Sequence, residues 1–273
     1  MSGEPAITSL TNPRVKAAVR LRDRREREDT GLTIIDGARE ILRALDAGVR
    51  VQTAFIAPDL LRTEDALSVD ARLHDWPATI EVSPAVLAKV AYGDRSDGVV
   101  AIVESPSLML ADLVLPDDPL IVVVEGVEKP GNLGAVLRTA DAAGADAVIA
   151  ADPRTDLFNP NAIRASIGTI FTQRVVAGGS SEVLAWLAER RIRMVAAIVD
   201  APATHTEIDL RGPLAIILGS EAAGLSDAWR QPSVEPISIR MHGIADSLNV
   251  SIAAAVVLFE AVRQRSVIRN EGH

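Results

Sequence analysis

Four apolar runs constrain this chain most: LIVVVEGV (120–127), DAVIAAD (146–152), RMVAAIVD (193–200) and PLAIILG (213–219). A strand with one wet face alternates apolar and polar residues. A strand buried on both faces does not, and such strands belong to parallel sheets covered by helices on either side. Between the first two runs, Asn132 to Ala143 reads as a helix. A long helix, SLNVSIAAAVVLFEAVRQR (247–265), closes the pattern, opening at a serine and ending in arginines as the helix dipole favours. The spacing predicts an α/β domain with a parallel sheet over residues 120–273.

The first hundred residues alternate shorter elements. LTIID (32–36), TAFIA (53–57), TIEVS (79–83) and GVVAIVE (98–104) read as strands, with helices over AREILRALDAG and PAVLAKVAYG (84–93). They predict a small α/β domain over residues 1–105, led by a basic helix. SPSLMLADLVLPDDP, with three prolines and two adjacent aspartates, is the expected linker, residues 106–119.

Composition narrows the chemistry. The 273 residues contain no cysteine, which excludes disulfides, thiolate metal sites and cysteine nucleophiles. The four histidines are scattered without metal-ligand spacing, so no metal is expected. The N-terminus lacks a charged-then-apolar pattern and no apolar run approaches the ~20 residues of a membrane span, which predicts a soluble cytoplasmic protein. A net charge of −9 argues weakly against a polyanion partner. Against that stands PRVKAAVRLRDRRER (13–27), where Arg14, Lys16, Arg20, Arg22, Arg24 and Arg25 form either a solvated, ion-paired helix or a phosphate-gripping face.

Three strand ends share one design. EGVEKPGNLGAVLRTADAAG (125–144) turns through Pro130, Gly131 and Asn132 into a helix. PLAIILGSEAAGLSDAW (213–229) passes from strand through Gly219, Ser220, Glu221 and Gly224 into a helix. ISIRMHGIADSLNVSIAAA (237–255) turns through Asp246, Ser247, Leu248 and Asn249. Ligands of open α/β sheets bind at strand carboxyl ends. The glycines of the first turn give G-x-x-G, neither the G-x-G of a dinucleotide site nor a Walker loop, although Asp152 lies at the spacing of a ribose-binding acid. Each polar residue also has a purely structural reading: Asn132 or Ser247 as a helix N-cap, Arg138 paired with Asp141, Glu221 in a first helical turn.

PGNLGAVLRTADAAGA, LGSEAAGLS and ISIRMHGIADSLNVSIAAA resemble, in order, the three signatures of the SpoU/TrmH family of SPOUT methyltransferases. TIIDGAREILRALDAGV resembles, more loosely, the small α/β substrate-binding domain of many members. The resemblance implies S-adenosylmethionine as cofactor, methylation of an RNA ribose 2′-hydroxyl, a C-terminal deep trefoil knot and a homodimer. Carried over by position, Arg138 is central to catalysis with Asn132, Glu221, Ser247 and Asn249. The cofactor falls to Leu218, Gly219, Ile239, Leu248 and Asn249. Ser220 stands where many members have a larger amide, a carboxylate or alanine, and Arg240 where proline is frequent.

The chemistry suits these residues. Without cysteine, covalent methylation at a pyrimidine carbon is disfavoured while oxygen methylation stays open. Aromatic content of 3% leaves the adenine to backbone and aliphatic groups such as Leu218, Ile239 and Leu248. A guanidinium stays protonated in proteins, so Arg138 serves either as a base aided by a substrate phosphate or as an electrostatic stabiliser of the 2′-oxyanion. With the fold suggested, the basic N-terminal segment becomes the expected RNA contact. Ribosomal RNA of the large subunit is favoured as substrate. Transfer RNA, a non-catalytic RNA-binding assembly factor and a dinucleotide-dependent oxidoreductase are the alternatives.

Overall fold

The basic segment expected as one leading helix is two, α1 (Pro13–Arg20) and α2 (Arg24–Thr30). Asp23 breaks it: its side chain accepts from the Arg25 amide at 2.8 Å and caps the second helix. This computed structural model describes residues 6–93, 97–221 and 223–270. The chain continues through β1 (Leu32–Ile35), α3 (Ala38–Asp46), β2 (Val51–Ile56), α4 (Glu64–Leu73), β3 (Thr79–Glu81), α5 (Pro84–Val90) and β4 (Val99–Glu104). There follow β5 (Leu120–Glu125), α6 (Pro130–Ala143), β6 (Ala147–Ala151), α7 (Pro160–Ala165), α8 (Thr169–Thr172), β7 (Val175–Gly178) and α9 (Ser180–Glu189). Last come β8 (Arg193–Ala197), the two-residue β9 (Ala203–Thr204), β10 (Leu214–Leu218), β11 (Val234–Ser238) and α10 (Val250–Asn270).

Two compact units emerge, Met1–Pro106 with Phe158–Thr172, and Ser107–Leu157 with Gln173–His273. The first is built on a four-stranded sheet in the order β1-β4-β2-β3, parallel only between β2 and β3. Val15, Ala18, Phe55 and Leu87 are among its fully covered core residues. The 158–172 segment belongs to this unit although it follows β6 in sequence. The Thr33 hydroxyl donates to the Phe158 carbonyl at 2.7 Å, Arg164 pairs with the buried Asp36, and Arg43 donates to the Ile167 carbonyl.

The second unit carries seven parallel strands in the order β7-β6-β5-β10-β8-β11-β9. Every residue of β5, β6 and β10 is buried, as unbroken apolar runs require when both faces of the sheet are covered. β10 lies between β5 and β8, in register Leu214 to Leu120 and Leu214 to Arg193. α10 packs against α6. Leu110 and Leu113, in the proline-rich stretch read as a linker, are buried in this core around a short 3-10 turn at Leu110–Asp112. Because the strands run parallel, the loops after β5, β8, β10 and β11 all leave by one edge.

Candidate active site

The loop after β10 folds back on itself. Ser220 and Gly224 pair as an antiparallel bridge, 2.9 Å and 3.2 Å, with Gly224 at φ +66°. The Ser220 hydroxyl accepts from the Ala223 amide at 3.2 Å, so the small side chain noted at this position closes the turn. A Cβ on Gly219 would stand 2.3 Å from the Gly224 carbonyl carbon, which leaves glycine as the residue that fits. Glu221 therefore projects from a closed turn. The helical turn expected for it does not form, and the expected following helix is a 3-10 turn at Asp227–Trp229.

A buried carboxylate anchors this loop from below. Glu125, at the end of β5, accepts from the Ser226 amide, the Ser226 hydroxyl and the Ser180 hydroxyl, each at 2.7 Å. Asp152, considered as a ribose-binding acid, instead caps α9 by accepting from the Ser180 amide at 3.0 Å. Hydrogen bonding from Ser180 holds its carboxyl below the ordinary value.

Around the loop the three signature segments meet. Asn249 Nδ2 donates to Glu221 Oε1, and to Asn132 Oδ1 at 3.3 Å. Asn249 Oδ1 accepts from the Ser251 amide at 2.9 Å and the Ser251 hydroxyl at 2.6 Å, which fixes the orientation of the amide. The N-cap of α10 is thus Asn249; Ser247, offered as an alternative cap, is exposed. Asn132 sits in the first turn of α6, whose N-cap is Lys129, so its side chain is free for Asn249. The Lys129 ammonium pairs with Glu221 Oε2 at 3.1 Å.

Beside Glu221 opens a cavity of ≈ 220 Å³. Leu218, Gly219, Ile239 and Leu248 line it, as does Ser247; Asn249 lies just outside. The segment Ala197–Val199 at the end of β8 and the carboxylate of Asp246 complete it. The walls fit S-adenosylmethionine: aliphatic side chains and strand-end backbone for the adenosine, and the carboxylates of Glu221 and Asp246 toward a sulfonium. Arg138 is not among these residues. It is exposed on α6, and it makes no side-chain hydrogen bond or ion pair among the described residues, with Asp141 or otherwise. Six residues along a helix, it points about 120° away from Asn132 and about 9 Å further on.

Sequence reasoning did not single out Lys129, Ser251, Glu125 or the end of β8. Ser251 had a legible signal, since an asparagine two residues before a serine at a helix start is an Asx cap. The others become visible only when strand ends meet.

In the first unit the six basic candidates divide. Arg22 donates to the Lys89 and Ala91 carbonyls and fastens α1 to α5. Arg20 pairs with Glu26, Arg24 with Glu28 and Arg25 with Asp29, the surface ladder that the charge pattern allowed. Arg14 and Lys16 are exposed on α1.

Fold and pocket suit an enzyme that takes a methyl group from S-adenosylmethionine, and solved RNA methyltransferases share the fold. A solved RNA 2′-O ribose methyltransferase superposes with a TM-score of 0.85 at 43% identity, covering 95% of this chain and 99% of that one. An AdoMet-bound rRNA methyltransferase from Sinorhizobium meliloti gives 0.84 at 30% identity over 95% and 97%. The 23S rRNA (uridine(2479)-2′-O)-methyltransferase of Streptomyces viridochromogenes is 32% identical across 90% of this chain and 87% of its own. Residues 12–101 match the MRM3-like substrate binding domain, and residues 119–259 match the SpoU rRNA Methylase family. The chain belongs to the SpoU rRNA methylase family.

Proposed function

We propose that this protein methylates a ribose 2′-hydroxyl of 23S ribosomal RNA. The single observation that carries the reading is the convergence of Asn132, Glu221 and Asn249, one from each signature segment, beside a cavity lined by Leu218, Gly219, Ile239 and Leu248. When bound, S-adenosylmethionine supplies an electrophilic methyl on a sulfonium. The chain's own residues position the acceptor oxygen and take up charge as its proton leaves. Asn249 holds the Glu221 carboxylate toward the cavity, and Ser247 offers a hydroxyl at its mouth. The names of relatives that act on 23S ribosomal RNA favour it over transfer RNA.

Arg138 enters this reading through a homodimer. Its guanidinium has no partner among the described residues and points away from its own Asn132, while α10, packed on α6, leaves Ile252 and Phe259 half exposed, seven residues apart on one stripe. That stripe is the surface for a second copy, and Arg138 serves the pocket of that copy as the fork that grips phosphate or oxyanion. A deep trefoil knot in the C-terminal segment, with β10 seated between β5 and β8, is part of the same reading. So is RNA contact by the N-terminal domain, residues 1–105, on the side of α1 where Arg14 and Lys16 are exposed.

Incubation with S-adenosylmethionine and an unmethylated 23S ribosomal RNA transcript, followed by mapping of alkali-resistant linkages, tests the function. One new ribose methylation is expected. Binding of NAD with no methylated ribose would overturn the reading.

A further inference from the structure

A second cavity, ≈ 170 Å³, also borders Glu221. Val124, Val127, Glu128, Lys129 and Asn132 form its own walls, with Glu128 paired to Arg154, and it shares Ser220, Glu221 and Val250 with the first. An apolar cavity of about 150 Å³ takes up one benzene ring, so this one has room for a single pentose but not for sugar and base together. Glu221 lines both spaces, its carboxylate held through one oxygen by Asn249. Its other oxygen is covered by the Lys129 ammonium at 3.1 Å.

That lysine is poorly restrained. Its side chain is 73% exposed, and it has no other hydrogen-bond partner among the described residues. Exposed ion pairs contribute about 0–1 kcal/mol. An RNA phosphodiester arriving at the mouth can therefore draw the ammonium off Glu221 at small cost. The departure uncovers an acceptor oxygen facing the sugar.

We propose that the second cavity is the acceptor subsite, which takes the ribose of the target nucleotide, and that Lys129 exchanges Glu221 for the phosphate adjoining that ribose. Docking of RNA then uncovers the carboxylate, and without RNA the lysine keeps it neutralised. The inference rests on the methyltransferase reading above and adds to it a phosphate-binding residue and a place for the sugar.

Lys129→Gln removes the charge and keeps a polar chain; Lys129→Arg keeps the charge. Three quantities decide the matter: KM and kcat with the unmethylated 23S ribosomal RNA transcript, RNA affinity across a salt titration, and S-adenosylmethionine affinity by calorimetry. Lys129→Gln is expected to raise the RNA KM by about 3- to 30-fold and to reduce the slope of log affinity against log salt by about 0.7–0.9, the signature of one lost phosphate contact. S-adenosylmethionine affinity stays at the wild-type value, and Lys129→Arg recovers most of the RNA affinity. An unchanged salt slope overturns the proposal, as does a parallel loss of donor affinity, which would mean that Lys129 merely shapes the first cavity. Failure of the wild-type protein itself to methylate the transcript overturns the functional reading, and this inference with it.

Discussion

Asn249 does two things with one side chain. Its oxygen caps α10 through Ser251, so its NH2 group has to face the opposite way, where Glu221 and Asn132 accept. Aspartate would cap equally well but would set a carboxylate against Glu221, so the amide is what both roles require. A second residue on α10 works by charge. Glu260 accepts from Arg263 at 2.7 and 2.8 Å and from Gln264 at 2.8 Å, and Gln264 in turn holds the Leu210 amide and the Ile208 carbonyl. The Arg263 hydrogen bond, above all, lowers the Glu260 pKa to about 2 from an ordinary 4.5. A carboxyl with a depressed folded-state pKa stabilises the fold above its unfolded value, and that contribution disappears as pH falls from about 4.5 toward about 2. Arg263 is exposed, so solvent screening limits the gain to about 0.5–1 kcal/mol. Glu260→Gln is expected to lose that amount at pH 7 and progressively less at pH 4 and pH 3. Urea unfolding at the three pH values measures it; a difference that does not shrink with pH removes the carboxylate from the account.

Elements with their own local signal were legible in the sequence. β5, β6, β8 and β10 announced themselves because burial on both faces leaves no polar position; α6, read from Asn132 to Ala143, begins two residues earlier because Pro130 and Gly131, read as a turn, form its first positions. α4 and α9 were not read, nor was the 153–174 stretch. EDALSVDARL buries a stripe of only Ala66, Val69 and Leu73, with Leu67 exposed off it, and the partners of the 158–172 segment lie 125 or so residues away, at Thr33, Asp36 and Arg43. The site divides in the same way. Asn132, Glu221 and Asn249 could be named from motifs, whereas Glu125 looked like the end of an apolar strand and shows its role only when β5, α9 and the β10 loop are seen together. That junction predicts a graded result. Glu125→Ala leaves Ser226 and Ser180 without their buried acceptor and is expected to cost about 2–3 kcal/mol. It should also weaken S-adenosylmethionine binding, because the loop it anchors carries Gly219 and Glu221. Glu125→Gln should behave nearly as wild type: its oxygen can take the Ser226 amide while its NH2 donates to hydroxyls that rotate to accept. Urea melts and calorimetry on both variants check this, and equal loss in the two would show that the negative charge, not the hydrogen-bond geometry, is what the loop needs.

At the scale of the whole molecule, one chain holds every expected cofactor-side group beside one cavity but leaves Arg138 outside. Helix geometry forbids a simple remedy within the protomer, since residues six apart on α6 diverge by about 120°. In the proposed homodimer, two copies related by a two-fold axis would remove the difficulty, each presenting its Arg138 to the other with the exposed Ile252 and Phe259 stripe between them. This arrangement has a consequence that an arginine acting within its own chain does not share. Arg138→Ala and Glu221→Ala homodimers should each be inactive. In a mixed dimer, the pocket of the Arg138→Ala chain keeps its Glu221 and receives Arg138 from the Glu221→Ala chain, so one of its two pockets is complete. Selection for both tags leaves only mixed dimers, which sets the expected recovery at about half of wild-type methylation per dimer. Co-expression of the two variants under different affinity tags, purification through both tags and assay on the RNA transcript give the measurement. No recovery in a demonstrably mixed dimer would place Arg138 in the service of its own pocket, and the RNA or a movement of α6 would then have to bring the two together.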